Sequence, residues 1–303
     1  MEFDVRAVLR HAWQVTWKHK ALWIISALPL APVLVYLPGL VYALLSDDIM
    51  NELPSLLNDP TFILVSFIVL IVTIVVSWFL QVFSRSAITF GIVQLEAGRA
   101  APSFSELFKG GGIFFWRTLV TLLLASLGMA VVSAVFSACL SLIGFATLGL
   151  GSLLGQVIIL PVTLLIYATM EQAQVAIVAD DAQPVDALRV AWELVQENLN
   201  SFVVIAILLH VGVSIASGLA MLPVVAPLFL AVLSRFSGEV PNGLGDPSLL
   251  RIAVWSFAFF LPVSFILQAV AVLYRKSAYV IAYLRLRRRP KLQPLPVNRE
   301  ATL

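Results

Sequence analysis

The stretch PVDALRVAWELVQENLNSF, residues 184–202, predicts an amphipathic helix that lies on a membrane surface and leads directly into the bilayer. Its apolar side chains recur at steps of three and four residues, so they share one face of a helix. They are Val185, Leu188, Ala191, Trp192, Val195 and Leu199. Pro184 suits the first helical turn, where its missing N–H costs no hydrogen bond. The apolar run that follows, residues 202–233, is far longer than a soluble helix needs.

Composition extends this prediction to the whole chain. Of the 303 residues, 60% are hydrophobic and only 12% are charged, whereas a soluble domain carries roughly 25% charged residues. Six apolar blocks are long enough to cross about 30 Å of hydrocarbon as helices. They are residues 22–45, 62–83, 114–143, 153–170, 202–233 and 252–273. Pro223 and Pro227 leave two alternatives for the fifth block, a kinked span or a span followed by a re-entrant segment.

Lysine and arginine are distributed unevenly and predict an orientation. Seventeen of the 19 lie before the first block, after the sixth, or in and beside the links that follow the second and fourth blocks. The loop after the first block, SDDIMNELPSLLNDP at residues 46–60, is purely acidic. Because basic residues accumulate on the cytoplasmic side of membrane proteins, we expect both termini to be cytoplasmic and the protein to lie in the cell membrane.

Short similarities predict an internal repeat. LRHAW at residues 9–13 and LRVAW at residues 188–192 share four of five residues, and each precedes an apolar block. A weaker counterpart, PSFSELFKGGGIFFW at residues 102–116, contains a capping box formed by Ser103 and Glu106. We expect the glycines of this segment to end its helix.

The segments that leave the even-numbered blocks also resemble one another. RSAITFGIVQL at residues 85–95 parallels KSAYVIAYLRL at 276–286, and QAQVAIVADD at 172–181 is a looser third copy. We therefore predict an all-α membrane protein with six transmembrane helices arranged as three hairpins, each preceded by an amphipathic interfacial helix and followed by a cytoplasmic exit helix. One membrane domain, 1–303, would contain quasi-repeats 1–102, 103–183 and 184–292, with a flexible cytoplasmic tail at 293–303.

The segment DALRVAWELVQENLNSF, the small-residue exit before it and the three-hairpin layout resemble a broad group of uncharacterised bacterial six-span membrane proteins. That group is similar to the membrane domain attached to some glycerophosphodiester phosphodiesterases. In those enzymes the chemistry belongs to a separate soluble barrel, and we expect no such barrel within these 303 residues. The resemblance therefore implies an architecture and no catalytic residue.

Aromatic and basic side chains near the predicted cytoplasmic boundary are candidates for contact with the bilayer. Tryptophan is enriched at membrane interfaces, and basic residues attract anionic headgroups. We predict interfacial anchors at Arg10, Trp13, Trp17, Trp116, Arg189 and Trp192. Candidate contacts with anionic lipid are Arg285, Arg287, Arg288, Arg289 and Lys291. We expect Asp180 and Asp181 to pair with this basic tail or with the amino-terminal lead.

Inside the six blocks, His210 is the sole deep ionisable candidate that the sequence offers. Such residues often mark transport or catalytic sites, but no carboxylate or second histidine is predicted at its depth. Hydrogen bonding to a neighbouring helix is therefore the favoured interpretation. Small residues recur every four positions in the third block, and we expect them to pack internally. They are Ser126, Ala130, Ala134 and Ala138.

No constellation of residues predicts catalysis, a cofactor or nucleic-acid binding. The single cysteine, Cys139, excludes an internal disulfide and a multi-cysteine metal site. We therefore expect a non-enzymatic scaffold or accessory protein that binds lipid between its hairpins and has a membrane or soluble protein partner. The alternative is a permease-like transporter of a small or amphipathic solute.

Overall fold

The computed structural model describes residues 4–46, 55, 58–146, 150–219, 222 and 247–287, and all regular structure in these ranges is helical. The α-helices are α1 (Val5–Lys18), α2 (Lys20–Ala27), α3 (Ala31–Leu45), α4 (Pro60–Glu96), α5 (Phe104–Ala146), α6 (Leu150–Ala179), α7 (Pro184–Glu197), α8 (Leu199–Ala206) and α9 (Pro247–Leu286). A 3₁₀ turn, Leu28–Leu30, joins α2 to α3, and a π-helical segment, Ile207–Gly212, continues α8.

Five helical segments in this part of the chain are long and apolar enough to cross a membrane. They are Pro60–Glu96, Phe104–Ser141, Leu160–Ala179, Leu199–Leu219 and Ala258–Leu286. The pair formed by Val5–Lys18 and Lys20–Tyr36, bent by 88°, makes a sixth if it counts as one span. The predicted all-α class is confirmed, and the chain has the helices of a multi-pass membrane protein. Pro223, Pro227, most of the loop 46–60 and the tail 293–303 lie outside the described residues.

The long helices continue through the segments that were expected to form separate exit helices. α4 runs unbroken to Glu96, α6 to Ala179 and α9 to Leu286. The separate exits are therefore wrong, because no proline or glycine in these segments ends the helix. The same holds for α5, whose three glycines at 110–112 lie inside the helix. The start of α5 is as predicted: Ser103 N–H donates to Glu106 Oε2 at 2.7 Å, and Glu106 N–H donates to Ser103 Oγ at 3.3 Å.

The amphipathic stretch at 184–202 forms two helices. α7 ends at Glu197, Asn198 is not helical (φ −124°), and α8 begins at Leu199. The side chains that α7 buries are Ala187, Ala191, Leu194 and Val195. Val185 and Trp192 were expected on the same face but are 68% and 45% exposed. An interfacial helix has two apolar surroundings, protein and hydrocarbon, so its periodicity does not say which residues face which.

The chain divides into two compact units. Unit 1 comprises Met1–Leu22, Arg85–Gly212 and Leu273–Leu303, and unit 2 comprises Trp23–Ser84 and Val213–Val272. The core of unit 1 contains large buried side chains from six helices, among them Ile88, Leu107, Phe202 and Tyr279. In unit 2, Ser84 Oγ at the end of the unit's part of α4 donates a hydrogen bond to Ile25 O at 2.7 Å. The apolar side chains of α4 before Trp78 are mostly exposed.

The small residues of α5 do not pack internally as expected. Ser126, Ala130, Ala134 and Ala138 are all exposed, as are the large residues between them, Leu127, Val131 and Val135. Only 17% of the most apolar window of this helix is buried. This part of α5 therefore presents its small-residue stripe to its surroundings.

Candidate functional site: a buried charge cluster

Unit 1 contains three charged side chains that meet in its interior. Glu171 of α6 accepts hydrogen bonds at both carboxylate oxygens, from Arg85 Nη1 of α4 at 3.2 Å and from Lys276 Nζ of α9 at 2.6 Å. The side chains of Glu171 and Lys276 are 7% and 3% exposed, and that of Arg85 is 16% exposed. We call Arg85, Glu171 and Lys276 the charge cluster. Burying charge is costly unless it is paired, so this arrangement ties three helices together.

Polar neighbours extend the charge cluster along one face of α6. Gln174 Oε1 accepts a second bond from Lys276 Nζ at 2.5 Å. Tyr167 Oη accepts from Arg85 Nη2 at 3.4 Å. Tyr167, Glu171 and Gln174 are spaced by four and three residues, so a single helix presents all three in one direction.

His210 lies beside this face, in the π-helical segment that continues α8. Its ring centroid is 4.3 Å from that of Tyr167, and its Nδ1 lies 3.1 Å from Ala206 O and 3.5 Å from Tyr279 Oη. Its Nε2 is buried and has no hydrogen-bond partner among the described residues. Hydrogen bonding to a neighbouring helix is thus limited to the long contact with Tyr279. π-helical turns occur frequently at functional sites. His210 combines such a backbone with a buried, unpartnered ring nitrogen.

The structure corrects the expectation that no carboxylate approaches His210. Glu171 directly follows the fourth apolar block, which was expected to end at residue 170, yet it is buried inside α6 one turn after Tyr167, whose ring contacts His210. A signal for this was present in the sequence. Glu171, Arg85 and Lys276 each stand two residues before a fully buried alanine in the three similar exits, at Ala173, Ala87 and Ala278.

The three members of the charge cluster therefore occupy the same position when the three similar segments are aligned on these alanines. Aligned on their alanines, the segments read RSA at 85–87, EQA at 171–173 and KSA at 276–278. Their first residues carry a positive, a negative and a positive charge, and these are the side chains that meet. The predicted third copy begins at Gln172, so it leaves out Glu171 and sets its alanine one residue out of line with the other two.

A second group of ion pairs lies near the ends of these helices. Asp180 accepts from Arg287 at 2.7 Å and from Tyr283 Oη at 2.8 Å, which confirms the expected pairing of Asp180 with the basic tail. Asp181 pairs with Arg117 of α5 instead of the tail or the amino-terminal lead. His11 Nε2 of α1 is 2.7 Å from Glu96 Oε1 at the end of α4.

The predicted membrane contacts are mostly on the surface. Trp13, Trp17, Trp116 and Trp192 are each about half exposed or more, and Arg10 is exposed. Arg189 is exposed and pairs with Glu193 one turn later, at 3.1 Å. Of the candidate lipid contacts, Arg285 is exposed and Arg287 is engaged by Asp180. The remaining three, Arg288, Arg289 and Lys291, lie outside the described residues.

Chemically, the charge cluster is a carboxylate whose two oxygens are already bound by two cations. Among the residues the structure describes, no group of three or more histidine, cysteine, aspartate or glutamate side chains could hold a metal ion.

Comparison of the chain with protein-family models, with curated proteins and with solved structures finds no match.

Proposed function

We propose that the protein is a six-span protein of the bacterial cell membrane, built from three hairpins that are each preceded by an amphipathic interfacial helix. The observation that supports this best is the charge cluster, because it joins one equivalent residue from each predicted quasi-repeat. A pseudo-threefold arrangement of hairpins brings equivalent positions to a common point. In this proposal the repeats are 1–102, 103–183 and 184–292, and the basic residues of the links and tail keep both termini in the cytoplasm.

Within this architecture we propose a non-enzymatic scaffold or accessory function. Support comes from the charge cluster, whose glutamate is saturated by Arg85 and Lys276 and so acts as a structural tie. Further support comes from the exposed small-residue stripe of α5, since small residues let two membrane helices approach closely. The same proposal includes the relation to the membrane domain of glycerophosphodiester phosphodiesterases, where a membrane unit accompanies a separate catalytic one.

A permease-like function is the alternative, and one observation favours it. His210 has a buried, unpartnered Nε2 in a π-helical turn beside Tyr167, which contacts the charge cluster. A transporter would use this region as a polar site inside the membrane. It would also need an aqueous path to His210.

The scaffold proposal predicts a companion helix on α5. After mild extraction from native membranes, we expect the tagged protein to retain a stoichiometric membrane-protein companion or a second copy of itself. Substituting Ala130 and Ala134 by leucine should release it, because the larger side chains keep the backbones apart. The matched control, V131L/V135L, changes exposed neighbours on the same helix and should retain it. Size-exclusion chromatography with mass spectrometry measures both. A wild-type protein that is monomeric and carries no companion would contradict the proposal.

A further inference from the structure

An apolar groove lies between α1 and the helical segment that begins with α8, within unit 1. Val5, Leu9 and Trp13 line one side at four-residue intervals, and Val204 and Leu208 line the other. Tyr274 of α9 also lines the groove, with its ring centroid 5.7 Å from that of Trp13. The groove has a volume of about 520 Å³, within the range of roughly 300–1,000 Å³ that small-molecule sites occupy.

The apolar side chains of this groove are partly uncovered. Trp13, Val204 and Leu208 are 51%, 45% and 48% exposed, although the neighbouring face of α1 is well buried at Val8 and Ala12. Where such a groove faces a bilayer, aliphatic chains fill it, because they remove its apolar surface from water and close packing gaps.

Two arginines stand one turn apart at the edge of the same groove. Arg6 and Arg10 both belong to its lining, and both are exposed. Neither forms an ion pair with another described residue. Residues four apart on a helix have Cβ atoms about 5–6 Å from one another, so both guanidinium groups can donate to a single phosphate, an acceptor that suits arginine geometry.

We propose that this groove binds one anionic glycerophospholipid, with an acyl chain against Leu9, Val204 and Leu208 and with its headgroup phosphate held between Arg6 and Arg10. The site rests on the proposed function, because it requires α1 to lie at the bilayer interface. It gives the lipid-binding part of that function a location and a lipid class. Two cationic side chains favour a headgroup with net negative charge over a zwitterionic one.

Charge also argues against the chain's own carboxyl-terminal tail as the occupant. Residues 288–303 include four arginines and lysines and a single acidic side chain, Glu300. Seating this segment beside Arg6 and Arg10 would place like charges together. An anionic lipid instead brings the missing counter-charge together with the hydrocarbon.

The test is native mass spectrometry of the full-length protein titrated with phosphatidylglycerol or phosphatidylcholine. The wild type should bind one phosphatidylglycerol tightly, and R6A/R10A should weaken this by about thirtyfold while changing phosphatidylcholine binding little. The groove-filling variant V204W/L208W should lose both lipids. The matched control R99A/K109A removes two exposed basic residues away from the groove and should bind as the wild type does.

A second measurement uses the aromatic residue in the groove. The fluorescence of Trp13, taken as the difference between the wild type and W13F, should be quenched at lower mole fractions by brominated phosphatidylglycerol than by brominated phosphatidylcholine.

Unchanged phosphatidylglycerol binding in R6A/R10A or in V204W/L208W would overturn the proposal, as would an equal loss in R99A/K109A. Binding of a second copy or of the tail in the groove itself, displaced by neither lipid, would overturn it as well. If one of these results is found while the companion on α5 is retained, only the lipid-site proposal is refuted. If wild-type protein carries no companion but binds lipid as expected, only the scaffold proposal is refuted.

Discussion

Replacing Glu171 by glutamine is expected to destabilise the protein by about 3–5 kcal/mol, the cost of removing one partner from a buried ion pair. Glu171 is the only anion of the charge cluster, and it accepts from both Arg85 and Lys276. Glutamine keeps the shape and one acceptor oxygen but leaves two buried cations without a counter-charge. The two cations then repel each other in a medium of low dielectric constant. The free energy of unfolding, measured by titration with denaturing detergent, should fall accordingly.

The matched variant is K276M. It removes one cation but leaves Arg85 and Glu171 paired at 3.2 Å with balanced charge, and methionine fills most of the vacated space. It should therefore cost clearly less than E171Q. If the two variants were equally stable, or if E171Q matched the wild type, Glu171 would not be the anion that ties the three helices together.

Replacing Gly110 by alanine is expected to cost about 1–3 kcal/mol, as overpacking of a well-filled core does. A Cβ atom at this position of α5 would overlap the ring of Phe90 on α4, coming within 2.6 Å of its Cγ. Rotating the ring cannot relieve this contact, because Cγ lies on the rotation axis. Phe90 is itself buried and packs beside Phe114, with ring centroids 6.2 Å apart. The two helices would have to separate.

Gly112 provides the control two residues away in the same helix. A Cβ atom there would meet nothing within 4 Å. G112A should therefore leave stability unchanged or raise it by up to about 1 kcal/mol, the difference in helix propensity between alanine and glycine. Thermal unfolding of both variants in the same detergent gives the comparison. Equal stability of G110A and G112A would show that α4 and α5 do not approach each other at Gly110.

The sequence predicted the class of fold because its strongest signals are long. An apolar run of more than 20 residues allows few structures in a bilayer, and the described parts of these runs are helical. The ends of the helices were predicted less well than the helices themselves. The glycines at 110–112 were interpreted as an end, yet Gly110 serves the contact with Phe90. Composition alone cannot distinguish a glycine that ends a helix from one that lets a neighbour approach.

The candidate site was missed for a related reason. Glu171 follows an apolar block and precedes an acidic link, so its surroundings in the sequence suggested a solvated position. Its burial depends on Arg85 and Lys276, which lie 86 and 105 residues away in the chain. Only the alignment of the three exits on their buried alanines places these three charges at the same position. The exposure of the α5 stripe likewise depends on which helices pack against it, and periodicity does not determine this.

The scaffold and permease proposals differ most directly in whether water reaches His210 in the native membrane. In a C139S background the chain has no other cysteine, so H210C can be treated alone with a membrane-impermeant maleimide from either side. Ser55, which is exposed, provides the control: S55C should react from outside the cell, and reaction only from the cytoplasm would contradict the proposed orientation. We expect H210C to stay unmodified in native membranes from both sides and to react fully after denaturation. Modification of H210C in the native membrane would contradict the scaffold proposal, in which no aqueous path reaches His210, and would establish the path that a permease requires.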